Sequence, residues 1–160
     1  MLKIELKDLL TLGNAVSGIL GISAAIAGVG LAWLYIFPAV VFDFLDGKVA
    51  RQSGKLNEFG KQLDSLADTV SFVVAPSVVV MNFAKADVLL TAASALYVCC
   101  GLWRLAKFNL QTDKKNYYGL PTPVAAVMVL IVTAFSAVFA PFVLVITAVA
   151  MVIPFKLKKH

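Results

Sequence analysis

The apolar runs of this chain have no polar face. Between Leu9 and Ile153, long stretches are hydrophobic nearly all round. They lack the alternation of buried and solvated positions that a surface helix of a soluble domain carries. Helices of that kind face lipid or sit inside a bundle. Composition agrees: 61% of the residues are hydrophobic and 14% are charged, against about a quarter charged in a soluble domain. A spanning helix needs roughly 20 predominantly apolar residues. Six stretches are candidates, at about 9–27, 30–47, 63–82, 87–108, 120–139 and 141–155, the last short for a full span. The expected fold is all-α, a polytopic membrane bundle of six transmembrane helices with a short N-terminal amphipathic segment. Residues 1–160 would form one membrane domain, with no room for a separate soluble one. Glu5 and Asp8 lie inside the N-terminal segment and speak against a cleaved signal peptide. Only Ala140-Pro141 divides the last two stretches, which allows a hairpin or a single kinked element.

Charge orients this bundle. With the N-terminus inside, all 14 Lys and Arg residues except Lys85 fall on the inner side. That asymmetry places the chain in the cell membrane as a multi-pass protein with both termini cytoplasmic. The net charge of +5 is then gathered on one face, where anionic head groups or phosphates meet it. Nucleic acid is not the expected partner, because these cations cap membrane spans. Cys99 and Cys100 are adjacent within a predicted span and read as small packing residues, not as a disulfide.

Val41–Asp68 carries the chemistry. Asp43 and Asp46 are three apart at the inner end of the second span, and Asp64 and Asp68 are four apart at the inner start of the third. Spacings of three and four put residues on one helix face. A connection containing Gly54 and Gly60 lets the two helices return antiparallel, so four carboxylates converge at one depth near the cytoplasmic interface. Clustered carboxylates repel one another; protonation relieves part of this and a pair of divalent cations relieves it more fully, and hard oxygen ligands suit Mg2+, Mn2+ or Ca2+. Acids in spans are costly and functional by default; pairing with Lys48, Arg51 and Lys61 is the plain structural alternative. Gly47 follows Asp46, and Gly60 stands one turn before Asp64, so a ligand can approach closely at both. Ala50 is also small, and Arg51 supplies a planar fork suited to phosphate. Together these residues describe a diphosphate site.

The order Asp43-x-x-Asp46-Gly47-x-x-Ala50-Arg51, eight residues, Gly60-x-x-x-Asp64-x-x-x-Asp68 resembles the signature of the CDP-alcohol phosphatidyltransferases at all eight defining positions. The resemblance implies six core helices, a binuclear metal site holding Mg2+ or Mn2+ and open to the cytoplasm, a CDP-lipid donor and a homodimer. It implies that Asp43 and Asp64 bridge two metals, that Asp46 completes one site, and that Asp68 touches the other and acts as general base. Gly47 and Arg51 would contact the CDP moiety, with Ala50 and Gly60 beside it. Asn57 stands where the family often has a small hydroxyl residue. Thr11 and Asn14 resemble an N-terminal family segment that approaches the nucleotide, although Lys7 and Asp8 replace its Pro and Asn. Asp8 is carried over as a CDP-lipid contact with that departure.

Further segments resemble the serine-accepting branch of the family. They are Glu58-Phe59-Gly60 through Asp68, Val70-Ser71-Phe72, Ala75-Pro76, Cys100–Asn109 and Gly119-Leu120-Pro121-Thr122-Pro123. Val73 and Lys107 depart from it, standing where that branch commonly has Gly and Arg. The implied reaction moves a phosphatidyl group from CDP-diacylglycerol or CDP-archaeol to the hydroxyl of L-serine and releases CMP. Arg104 is the natural partner for a serine carboxylate, since an arginine binds a carboxylate through two parallel hydrogen bonds; the alternative is an interfacial anchor. Two other functions compete. Another alcohol, such as glycerol phosphate or inositol phosphate, would want a denser set of cations than the fourth span offers. A cation transport path would want an inverted repeat or a mid-membrane helix break, and none stands out.

Overall fold

The computed structural model describes residues 6–53, 58–110 and 119–153, and of residues 51–53 the backbone alone. Every regular element among them is helical. Helix α1 (Leu6–Ile26) leads through a 3-10 turn (Ala32–Tyr35) into α2 (Ile36–Ser53). Next, α3 (Glu58–Asp68) runs through a π-helical turn (Thr69–Val74) into α4 (Ala75–Phe83), the three forming one rod. Helices α5 (Val88–Leu110), α6 (Thr122–Phe135) and α7 (Ala140–Val152) complete the bundle. Among the described residues, three rods are long and apolar enough to cross a membrane: Leu6–Ile26, Glu58–Phe83 and Val88–Leu110. Large apolar side chains such as Leu20, Leu96, Trp103 and Phe142 stand exposed around the outside. This is a helical membrane protein.

The other three helices form where the apolar pattern places them, but each departs from a full apolar span for a local reason. The second half of α2 carries Asp43, Asp46, Lys48 and Arg51. With 14 and 13 residues, α6 and α7 reach about 20 Å each at 1.5 Å per residue, short of the ~30 Å hydrocarbon core. Their arrangement is a hairpin. Ser136 is extended and ends α6, while Pro141 sits in the first turn of α7, where its missing N–H costs nothing. At the other end of the hairpin, the Leu120 amide donates to Ala150 O at 2.9 Å. Gly119 beside it has φ +78, and a Cβ there would stand 2.2 Å from Met151 O.

The chain reverses at two further defined ends. Gly28, at φ +72, terminates α1. Its amide donates to Ala25 O, and the Val29 amide reaches back to Ala24 O, the pairing of a left-handed helix cap. Asp87 caps α5, its Oδ1 accepting from the Leu90 amide at 2.7 Å. The amphipathic N-terminal stretch, as far as it is described, is simply the first turns of α1. Lys7, Asp8, Thr11, Asn14, Ser17, Gly18 and Gly21 make its buried stripe, which the helix turns toward α2, α3 and the π turn. Small and aliphatic residues fill the centre, with Phe72, Val80, Tyr97, Val129 and Leu144 fully enclosed.

Candidate active site

The polar stripe of α1 and the acids of α2 and α3 meet at one end of the bundle. One carboxylate oxygen from each of Asp43, Asp64 and Asp68 lies within 4.8 Å of the other two. Asp68 and Asp46 are buried, while Asp43 and Asp64 are half-buried. Each pair occupies one face of its helix, as the spacings of three and four require. Asp46 stands beside this trio, and Thr11 Oγ1 lies 2.9 Å from its Oδ2. The same hydroxyl is 2.9 Å from Lys7 O. One proton serves one acceptor at a time, and an ionised carboxylate is the stronger of the two. Asn14 Nδ2 donates to Asp68 Oδ1 at 3.1 Å.

The residues present fit a divalent cation. Three anionic oxygens at this separation repel one another in a medium with little water, and a hard cation among them reverses the sign of that term. Asp64 Oδ1 is buried and has no hydrogen-bond partner among the described residues. A buried carboxylate oxygen in that condition is costly unless something positive meets it. The donor set is oxygen throughout, which suits Mg2+ or Mn2+ in preference to zinc.

Of the other expected site residues, Gly47, Ala50 and Gly60 are half-buried on the two acid-bearing helices. The Arg51 side chain and Asn57 lie outside what the structure describes. Asp8 is buried in the first turn of α1. Arg104 lies half-buried on α5 and donates from an η nitrogen to Thr122 Oγ1 at 3.3 Å, at the start of α6. Two segments singled out in the sequence, Cys100–Asn109 and Gly119–Pro123, are thereby joined. The far end of the first one also reaches α3. Ser65 Oγ donates to Asn109 Oδ1 at 2.9 Å, and Lys61 Nζ donates to Asn109 O. Ser65 is the residue after Asp64, so α5 is tied to the acid-bearing helix at the site itself.

Against known proteins, residues 5–154 match the family model described as CDP-alcohol phosphatidyltransferase. The chain belongs to the CDP-alcohol phosphatidyltransferase family. Members transfer a substituted phosphoryl group from a CDP-linked donor to an alcohol, with divalent metal, and the acid cluster is where this chain can hold it. Among similar proteins is the archaetidylserine synthase of Methanothermobacter thermautotrophicus, 41% identical over 93% of this chain and 67% of its own length. The CDP-diacylglycerol–serine O-phosphatidyltransferase of Methanocaldococcus jannaschii is 35% identical over 78% of this chain and 58% of its own. The Bacillus subtilis protein of the same name is 34% identical over 80% and 74%.

Sequence reasoning misses the links between helices. Ser65, Ser71 and Asn109 stand out there only as matches to a family pattern, without partners. Tyr97 does not stand out at all. Its signal is a phenol in an otherwise apolar span, since a buried tyrosine hydroxyl needs an acceptor.

Proposed function

We propose that this chain transfers a phosphatidyl or archaetidyl group from a CDP-lipid to the hydroxyl of L-serine and releases CMP. The observation that carries the chemistry is the convergence of Asp43, Asp64 and Asp68 from two helices to within 4.8 Å. The choice of serine is supported by relatives whose names specify serine as acceptor. Asp43, Asp46, Asp64 and Asp68 would hold the divalent metal, two ions of Mg2+ or Mn2+. When bound, such ions neutralise charge on the attacking and leaving oxygens of the diphosphate.

The protein's own residues do the rest. Gly47, Ala50 and Gly60 leave room for the diphosphate, and Arg51 offers it a planar fork. Asp8, Thr11, Asn14 and Asn57 border the nucleotide. The serine hydroxyl forms a bond to the lipid-linked phosphorus as the bond to the CMP oxygen breaks, roughly in line. Asp68 accepts the hydroxyl proton, and Asn14 steadies its carboxylate through Oδ1. Arg104 receives the serine carboxylate. The chain acts as one membrane domain of six spans and as a homodimer, with both termini and the site on the cytoplasmic side. The basic inner ends of the helices support that orientation.

An acceptor screen tests the reading. Purified protein with CDP-archaeol or CDP-diacylglycerol and Mn2+ should release CMP with L-serine and not with glycerol 3-phosphate or inositol phosphate. Release with a phosphorylated alcohol and none with serine would overturn the acceptor.

A further inference from the structure

The π-helical turn immediately after Asp68 is gripped from two sides by the same device. On α1, Asn14 contributes a polar anchor and Gly18, four residues later, contributes space. Ser71 Oγ donates to Asn14 O at 2.8 Å. A Cβ on Gly18 would lie 2.7 Å from Ser71 Cα. On α5, Tyr97 is the anchor and Gly101, again four residues later, the space. Tyr97 Oη donates to Phe72 O at 2.8 Å, and a Cβ on Gly101 would lie 2.8 Å from Val73 Cγ1. Asn14, Ser71, Phe72, Val73 and Tyr97 are all fully buried.

Backbone chemistry explains why the turn needs holding. Pro76 has no N–H with which to bond Phe72 O four residues earlier. The tyrosine hydroxyl supplies a donor to that carbonyl. A π turn rotates the helix before it relative to the helix after it, and such turns recur at functional sites. Here the residue just before the turn is Asp68, whose Oδ1 is bonded by the same Asn14 that Ser71 holds. A path of contacts therefore runs from Tyr97, through the turn, to the carboxylate.

We infer that Tyr97 and Ser71 are positioning residues, clamping the π turn so that Asn14 fixes the Asp68 carboxylate toward the acid cluster. The inference rests on the proposed role of that cluster, and its test reads metal binding separately from transfer. Tyr97→Phe keeps the ring and removes only the anchor. Mn2+ affinity of the purified protein, followed by electron paramagnetic resonance, should fall about tenfold, the scale of one lost buried hydrogen bond. The turnover number should fall similarly, with the Michaelis constant for CDP-lipid within about twofold. In an Asn14→Ala background, Tyr97→Phe should cost almost nothing further, because both changes act through one carboxylate. Should Tyr97→Phe fail to fold, Ser71→Ala carries the same comparison from the α1 side. Wild-type Mn2+ affinity in the folded variant, or losses that add in full to those of Asn14→Ala, would overturn the clamp. Failure of the wild type to use serine would overturn the acceptor while leaving the Mn2+ ratio to decide the clamp.

Discussion

The α1–α3 half of the bundle and the α6–α7 hairpin are both apolar toward the outside, and both bury hydroxyls. Each half satisfies some of them within a helix, as Ser17 does on Gly13 O at 2.9 Å, but among the described residues the bonds that cross to a carboxylate lie in the first half. Thr133 and Thr147 donate to carbonyls of their own helices, Val129 O at 2.8 Å and Val143 O at 2.7 Å. Such bonds satisfy a hydroxyl inside lipid without asking anything of a neighbour. The hydroxyls of Thr11, Ser65 and Ser71 and the side-chain amide of Asn14 reach another helix. A polar residue in a span thus says little until its partner is known. Satisfied within its own turn it is packing, and bonded across helices to a carboxylate it belongs to a site.

That contrast ranks the expected effects of substitution. Asp43→Asn or Asp64→Asn should reduce CMP release to background at low metal while the protein stays folded in detergent, because a site assembled on charge loses one. Near-normal turnover in either would remove the cluster from the chemistry. Asp68→Asn should slow transfer by a factor on the order of 10²–10⁴, with CDP-lipid binding within several-fold of normal. An equal collapse of donor binding would make Asp68 chiefly a metal ligand.

Arg104→Lys keeps the charge and loses the planar fork. Losing a charge-assisted hydrogen bond costs about 1.5–3 kcal/mol, roughly 10- to 150-fold in affinity. The Michaelis constant for serine should carry that loss, and unchanged serine kinetics would reduce Arg104 to the link with Thr122 that ties α5 to α6. At the small end, Thr147→Val in the hairpin should leave turnover within about twofold, since its bonds stay inside one helix. A large loss there would break the distinction between the two halves.

Each pair of acids is legible in the sequence by spacing, because three and four residues on a helix fix a face whatever surrounds it; that the two pairs meet depends on how the helices pack, which spacing does not record. Hydropathy reveals the helices, and their ends less sharply. Ser136, not Ala140-Pro141, divides the last two, because a proline is at home in a helix's first turn and is no break there. Links between helices stay out of reach for a physical reason. Tyr97 and Phe72 are 25 residues apart, and no local propensity records which carbonyl a phenol will meet. Arg104 suggests a carboxylate ligand from its chemistry and place in the span; its bond to Thr122 becomes visible only once α5 lies against α6.

If the crossing polar residues of α1–α3 exist to hold a divalent cation, metal binding and transfer must fail together. Mn2+ binding to purified wild type and Asp64→Asn, with CMP release from CDP-lipid and serine measured in the same samples, addresses this directly. The wild type should bind Mn2+ and release CMP over the same range of metal concentration, and the variant should lose both. Equal Mn2+ affinity in the two proteins, or CMP release that survives removal of metal, would contradict the account.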